Sequence, residues 1–505
     1  MAIVDMAHCN TCRAVLQEGN RFCEDCGAAV LSAAASPGAA SEPRHSQATR
    51  LLSAAAFSNS SVRGAILEWI LERNRSTPPE IGIDLELVAR VAAYAEHRDR
   101  NHELALAALA TVAAIGLVFV PITFVAFVAA AVLVFLKRAR ERTQMLERFD
   151  RDHFAKADVE RLFTKELTAR QRSAVPPAAT NLTVYSGFSP FVGMGLEMGG
   201  WSFAIAADKP KDDFRSTSPL AVSVAELNSA VTDRLAKLNL PDLDQRDHFF
   251  MHGADVTEHP FLLPNKYARP VSVLPPELQK RCSFGNDPHV RHYRWIRVSD
   301  WAGDVAVSCF LRCYMRGPTL FVEFKRHLLT PLRDTIRKID DLAPLSFTGI
   351  VGEALLSVFI APFAMLGATL AIIARVQKWW DEIWDISGRE RRKAIDRTAR
   401  WDYGATTTIR QTYASGEYTR YFQWADTDSY QKTLEREILG ALVDFLDARG
   451  VDTSDLRERS STILNNGVIV QNGDIKAGSM AVGERAKSVQ RKLTRMVKAK
   501  TRGAA

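Results

Sequence analysis

The longest uncharged stretch of the chain constrains its fold most. Leu104–Leu136 contains 33 residues without a charged side chain. A helix needs about 20 residues to cross a bilayer, so one straight helix of this length would overshoot the hydrocarbon core. Pro121 divides the stretch into parts of 17 and 16 residues. The division predicts a transmembrane hairpin over residues 104–136. The alternative is a buried helical hairpin in a water-soluble core.

The charges that flank this stretch indicate its orientation. Arg98 and Arg100 precede it, and Lys137 and Arg138 follow it. Positive charge concentrates on the cytoplasmic side of membrane proteins. We therefore expect both ends of the hairpin in the cytoplasm, with the protein in the inner (cytoplasmic) membrane and its hydrophilic parts facing the cytoplasm.

A second apolar stretch lies near residue 360. Ala354–Ala374 contains 21 uncharged residues, with Pro362 near its middle. Arg375, Trp379 and Trp380 follow, and such residues anchor membrane segments at the interface. The sequence predicts a second membrane segment over residues 346–380, either a single tilted span or another proline-bent hairpin. Here too a buried hairpin of a soluble core is the alternative.

Four of the seven cysteines lie in the first 26 residues. Cys9 and Cys12 form one CxxC pair, Cys23 and Cys26 form another, and ten residues separate the pairs. Two such pairs can supply four thiolates to one tetrahedral zinc ion, which leaves no open position for catalysis. We predict a structural Zn²⁺ bound by these four residues, with redox-active or disulfide-bonded pairs as the alternative. The spacing resembles the small zinc-ribbon family of many bacterial proteins over about residues 7–30.

The remaining segments follow from composition and periodicity. Alanine, serine and proline predict a tether before residue 60, and β-branched and aromatic runs predict strands in the middle of the chain. The predicted segments are zinc ribbon 1–30, flexible linker 31–60, helical segment 61–103, transmembrane hairpin 104–136, charged helix and linker 137–180, mixed α+β cytosolic domain 181–345, second membrane segment 346–380, helical region 381–460, Gly/Asn hairpin 461–485 and basic tail 486–505. The predicted fold class is therefore a multi-domain membrane protein.

Three further patterns contain residue types that occur in metal, phosphate or thiol sites. His248, His252 and His259 form a cluster, and the first two have the His-x3-His spacing of metalloproteases. No glutamate occupies the position of the metalloprotease base, so a surface cluster in a loop is favoured. The run "GMGLEMGG" (193–200) precedes an expected strand, so it predicts a glycine-rich β connection instead of a phosphate loop. Cys309 and Cys313 share a strand face and are predicted to be buried thiols.

The C-terminal region contributes a helix and a cationic tail. Asp428 and Gln431 fit a capping box, with an apolar stripe after them and Gly450 beyond the end. From Arg485 onward there are eight lysine or arginine residues and no acid. This tail has the amphipathic pattern of a helix that binds anionic lipid headgroups.

The middle of the chain resembles a group of uncharacterised bacterial membrane proteins. The motifs are "YSGFSPFVGMG…WSFAI", "RHYRWIRVSDWAGDVAVSCFLRCYM…LFVEF…LLTPLR" and "YFQWAD…SY", between about residues 181 and 483. The stretch "NNGVIV…NGDI…AVGERA" is similar to hairpin tails in bacterial defence and signalling proteins. Neither resemblance implies a catalytic residue.

Three functions follow as hypotheses. The leading one is a membrane-anchored, non-enzymatic binding or sensing scaffold on the cytoplasmic face. Its expected partners are the bilayer, anionic headgroups at the basic tail and a protein bound through the zinc ribbon or the cytosolic domain; nucleic acid is not expected. The alternatives are a defence-related effector that oligomerises and perturbs the bilayer, and an enzyme with an unfamiliar site in 181–345.

Overall fold

The computed structural model describes residues 46–72, 74–116, 120–151, 180–211, 221–284 and 289–465, together with residues 154, 167 and 175. These residues belong to one compact unit of the chain, His45–Ala505. The α-helices in this part are α1 Gln47–Ser58, α2 Ser60–Leu71, α3 Leu85–Ile115, α4 Val120–Arg148, α5 Val224–Leu235, α6 Pro276–Phe284, α7 Asp334–Arg337, α8 Phe347–Trp384, α9 Ile386–Arg397, α10 Ile409–Thr412, α11 Tyr421–Ala448 and α12 Ser454–Asn465.

A mixed sheet of six strands forms the centre of the domain. The strands are β1 Leu182–Tyr185, β2 Leu196–Ala206, β3 Asp244–His252, β4 Val290–Asp300, β5 Val305–Arg316 and β6 Thr319–Leu329. Their order is β1-β3-β4-β5-β6-β2, with β1 parallel to β3 and all other neighbours antiparallel. The mixed α+β character predicted for this region is confirmed.

The two faces of the sheet bury different side chains, because side chains alternate along each strand. One face is aliphatic and packs against α5 and α11, where Leu227, Leu434 and Ile438 are buried. The other face is aromatic, and Phe191 from the loop before β2 packs there against Phe250 and Phe310. The C-terminal helix α11 therefore completes the core of the sheet domain.

The N-terminal helices form a second core. Leu51, Leu52 and Phe57 of α1 are fully buried and pack with α2, α3 and α7. The predicted linker 31–60 is therefore wrong over Gln47–Ser58, which is a helix. Its alanines and serines are small enough for close helix packing. The same residues are common in flexible linkers, so composition alone did not distinguish this buried helix from a tether.

The start of the long C-terminal helix α11 differs from expectation. The helix expected to begin near Asp428 begins at Tyr421, because its first turns contact the sheet domain. Gln423 donates a hydrogen bond to Asp304 and Tyr430 donates one to Asp300. The end is as predicted, with Gly450 beyond it at a φ of 74°.

The apolar stretches form three long helices. The first stretch is shared between α3, which ends at Ile115, and α4, which begins at Val120. The second lies in α8, one continuous helix of 38 residues with Pro362 inside it. Of the two forms considered for this stretch, the single helix is observed.

Candidate functional site at the base of the apolar helices

The apolar parts of α3, α4 and α8 pack through small side chains. Ala107, Ala130, Ala361 and Ala368 are among the buried residues of their common core. Large apolar side chains point away from this core, and Phe363 of α8 is 75% exposed. Small residues at helix contacts with large apolar residues outside are typical of helices surrounded by lipid.

Within the described residues, two helices are long and apolar enough to cross a membrane. They are Pro121–Arg148 and Phe347–Asp381, and 22% of the most apolar window of each is buried. A core helix of a soluble protein buries most of its apolar surface. These two helices could therefore enter a bilayer.

A cluster of charges lies where the hairpin meets the rest of the domain. We call Arg63, Arg98, Asp99, Lys137 and Glu141 the base cluster. Arg63 forms an ion pair with Asp99, whose carboxylate also lies 3.0 Å from Arg98 and 3.1 Å from Lys137. Arg98 also lies 2.6 Å from Glu141 on α4. The cluster ties α2, α3 and α4 together below the apolar residues.

The base cluster sets the charge state of its neighbours. Burial would raise the pKa of Asp99, but Lys137, Arg98 and Arg63 outweigh burial and hold this pKa below its ordinary value. Burial and the nearby Lys137 lower the pKa of His102, one helical turn further along α3. Asp99 is therefore a permanent anion at neutral pH, whereas His102 is a neutral imidazole.

Helix α8 crosses the hairpin obliquely. Its Glu353 pairs with Arg138 of α4, and its Arg375 pairs with Glu103 of α3. The two α8 residues are about 22 positions, or about 33 Å, apart along the helix. Their partners lie at one level of the hairpin, because His102 contacts the carbonyl oxygen of Leu133. A helix running alongside the hairpin would not reach both partners.

A cleft of about 300 Å³ lies at this crossing. Its charged lining is His102, Glu103, Lys137, Arg138 and Glu141, and α8 contributes Ala364, Gly367 and Ala368. Among the described residues that line it, none carries a hydroxyl or thiol nucleophile. Paired charges of both signs beside an apolar bundle hold helices in register and couple their movements. They do not resemble an acid–base or nucleophile arrangement.

The part of the chain that contains most of the sheet identifies the protein family. Residues 200–478 match the AbeC-like domain, and this match covers more than half of the chain. The chain belongs to the AbeC-like domain family. The AbeC-like domain begins within β2 and includes α8 and α11, whereas α3 and α4 precede it. Membership fits a bacterial protein. No curated protein and no solved structure matches the chain.

The four predicted zinc ligands, Cys9, Cys12, Cys23 and Cys26, lie outside the described residues, as do the basic tail 486–505 and the Gly/Asn segment beyond residue 465. Within the part of the chain that is described, no group of three or more histidine, cysteine, aspartate or glutamate side chains has an arrangement that could hold a metal ion. The zinc site stays a prediction.

The expected surface histidine cluster is wrong. His248 lies in strand β3, is fully buried and shares a hydrogen bond of 2.8 Å with Thr183. Burial lowers the pKa of His248 to about 3. His252 is four residues further along the strand, or about 13 Å away, too far to share a metal ion. The run Phe249–Met251 indicates a strand, because β3 lies between two other strands and its apolar residues are buried on both faces of the sheet.

Two other predictions are confirmed. The glycine run leads into strand β2, and Gly195 has a φ of 85° with Leu328 so close that a Cβ atom would lie 2.1 Å from its carbonyl oxygen. Cys309 and Cys313 lie in the aliphatic face of the sheet, and burial raises the pKa of each thiol to about 12.

The base cluster was not identified from the sequence. Arg98 and Lys137 were interpreted only as topological signals. Asp99 and Glu141 could have indicated the cluster. Orientation in a membrane depends on the flanking cations alone, so acids placed among those cations indicate ion pairing. Once α3 and α4 turn back on each other, these acids and bases face one another.

Proposed function

We propose that the chain is a membrane-anchored, non-enzymatic binding or sensing scaffold at the cytoplasmic face of the bacterial inner membrane. Three apolar helices attach the AbeC-like domain to the bilayer, and a zinc ribbon held by Cys9, Cys12, Cys23 and Cys26 contacts a protein partner. The single observation that carries the proposal is the reversed packing of these helices, with alanines inside and large apolar side chains outside.

The ends of α8 support insertion from one side. Before α8, Asp340 lies 2.6 Å from Arg50 of α1. After it, α9 brings Asp396 to within 2.6 Å of Lys266 in the sheet domain. The 12 residues of α9 span about 18 Å, less than a bilayer core of about 30 Å. Both ends of α8 are therefore tied to the same body, and its apolar middle lies across the base of the inserted hairpin.

Alkaline extraction of membranes tests the attachment. We expect the full chain to remain with membranes after a carbonate wash, because outward apolar side chains bind it to lipid. A variant with Val125→Lys and Val128→Lys on the outer face of α4 should be released. Recovery of the unsubstituted chain in the soluble fraction would refute membrane anchoring.

Metal analysis tests the zinc ribbon separately. The purified full chain should contain about one zinc per chain, because four thiolates bind one ion. Cys23→Ser should lose the zinc and remain in the membrane fraction, and Cys309→Ser is the matched control because that thiol is buried in the sheet. Equal zinc contents in all three proteins would refute zinc binding by the four N-terminal cysteines.

A second candidate is a membrane-acting effector that self-associates in the bilayer. A groove of about 320 Å³ on the hairpin favours it, since its lining is almost wholly apolar and includes Leu109, Val112, Ile122 and Val125. A helix from another copy would fill such a groove. Expression with a potential-sensitive dye tests this function: depolarisation that Val125→Lys abolishes would support it, and an unchanged potential at full expression would count against it.

A further inference from the structure

The C-terminal end of α8 exposes a row of tryptophans. Trp379, Trp380 and Trp384 are 57%, 50% and 55% exposed. Trp380 stacks on Trp384 with ring centroids 6.4 Å apart, and Trp379 meets Trp380 edge to face. Exposed tryptophan is costly in water and favourable at the boundary between lipid and water. Trp380 and Trp384 continue the outer apolar face of α8, on which Phe363 and Leu370 lie further back, whereas Trp379 lies on the side of Ala361.

The next helix presents a row of cations. Arg389, Lys393 and Arg397 follow at intervals of four residues, so they share one face of α9. Ile395 on the opposite face is buried, which turns the cationic face outward. Among described residues, none of these three side chains has an ion-pair partner. Their charges are therefore available to an external anion.

A short hydrogen-bonded turn connects α8, which carries the tryptophans, to α9, which carries the cations. Asp385 adopts a left-handed conformation with φ 45°, which ends one helix and starts the next. Ser387 donates hydrogen bonds to Asp381 through its backbone nitrogen at 3.0 Å and its hydroxyl at 2.6 Å. Arg375, one turn before the tryptophans, pairs with Glu103 at the base of the hairpin. The tryptophans thus lie at the level where the hairpin leaves the domain.

We infer that the tryptophan row of α8 and the cationic face of α9 form one surface that binds the headgroups of anionic phospholipids. The inference rests on the proposed membrane attachment and names the lipid class that this attachment selects. The rings occupy the interfacial layer, while Arg389, Lys393 and Arg397 approach the phosphate and headgroup charges. The adjoining apolar face of α8 favours a bilayer over nucleic acid, which would offer it no hydrocarbon.

Brominated lipids test the inference, because bromine quenches tryptophan fluorescence only at close range. The full chain is reconstituted into vesicles of equal parts phosphatidylcholine and phosphatidylglycerol, with one or the other lipid brominated. We expect brominated phosphatidylglycerol to quench about two-fold more, because cations near the surface recruit anionic headgroups. A variant with R389Q, K393Q and R397Q should lose this excess and still float with the vesicles.

The matched control carries K432Q, R436Q and R459Q, which remove the same charge from α11 and α12. It should keep the excess quenching. Equal quenching by the two lipids in a chain that floats would overturn this inference alone, and so would an excess that survives in the α9 variant. Binding of a labelled oligonucleotide that only the α9 variant loses would assign the surface to nucleic acid instead. A chain that does not float at all would refute the proposed membrane attachment.

Discussion

At the residue scale, Asp99 is the shared anionic partner of three cations in the base cluster. Its carboxylate is 11% exposed and faces Arg63, whose side chain is 2% exposed. Arg98 and Lys137 lie against the same carboxylate. Removing one partner of a buried ion pair leaves the others without compensation, which costs more than the pair contributes.

The substitution Asp99→Asn tests this role. We expect the free energy of unfolding to fall by about 3 kcal/mol, because the buried Arg63 would lose its buried counter-charge and keep only Glu96, whose side chain is about half exposed. Thermal unfolding of the detergent-solubilised chain measures the change. Asp428→Asn is the control, because its pair with Lys432 lies on an exposed helix face and contributes about 0.5 kcal/mol or less. Equal effects of the two substitutions would contradict a structural role for the base cluster.

Buried histidines predict how stability depends on pH. Burial lowers the pKa of His248 from 6.5 to about 3 and that of His327 to about 4. Below pH 6.5 the unfolded chain takes up protons that the folded chain excludes. Stability is therefore lost as pH falls from 6.5 towards these values, by about 1.4 kcal/mol per pH unit for each histidine.

Replacing His248 by Gln should reduce this slope, which unfolding temperatures across the acid range measure. A slope that is identical in the unsubstituted chain and in His248→Gln would show that the histidine titrates alike in the folded and unfolded states.

Single residues were predictable where their neighbours in sequence decide their environment. Cys309 and Cys313 lie four residues apart in a strand rich in apolar residues, so they share one face, and this local sequence is enough to indicate their burial. Asp99 was not predictable, because its three cationic partners come from α2, from α3 itself and from α4. Arg98 precedes Asp99 in the sequence, but Arg63 and Lys137 approach it only because the helices pack together.

At the scale of elements, the packing of α8 depends on small side chains. Ala361 is fully buried between the hairpin helices, and Phe363 points outward on the same helix. Close approach of helices needs small residues at the contact, because dispersion contacts replace the hydrophobic drive inside lipid. The apolar length of α8 was therefore visible in the sequence, but which of its faces carries the contact was not.

Ala361→Leu should separate α8 from the hairpin. We expect a loss of about 1–3 kcal/mol, since a leucine does not fit the alanine contact. Phe363→Leu should change stability by about 0.5 kcal/mol or less, because its side chain is exposed. Thermal unfolding in one detergent compares the two variants. A larger loss for Phe363→Leu would mean that the outer face of α8 is the packed one.

Element boundaries depended on contacts from distant segments. The sheet of 181–345 was predicted from alternation, yet β3 was mistaken for a loop because both its faces are buried. Helix α1 was mistaken for a tether because its small residues serve close packing. The start of α11 was displaced by hydrogen bonds to Asp300 and Asp304, which lie more than a hundred residues earlier.

At the scale of the whole molecule, the apolar helices and the AbeC-like domain form one connected body. Ion pairs join the segment before α8 to α1 and the helix after α8 to the sheet domain. Glu353 and Arg375 of α8 pair with the two arms of the hairpin. The division into apolar and polar segments was visible in the sequence, because charge-free stretches stand out. Entry from one side is expected from the flanking cations and stays a prediction.

The most direct test is the sidedness of α8 in the cell membrane. Single cysteines replace Asp341 before α8 and Glu390 after it, both at exposed positions. A membrane-impermeant maleimide is added to intact spheroplasts and then to permeabilised ones. We predict that both cysteines are protected in intact spheroplasts and that both are labelled after permeabilisation. Labelling of one of them from outside would contradict it, because α8 would then cross the bilayer.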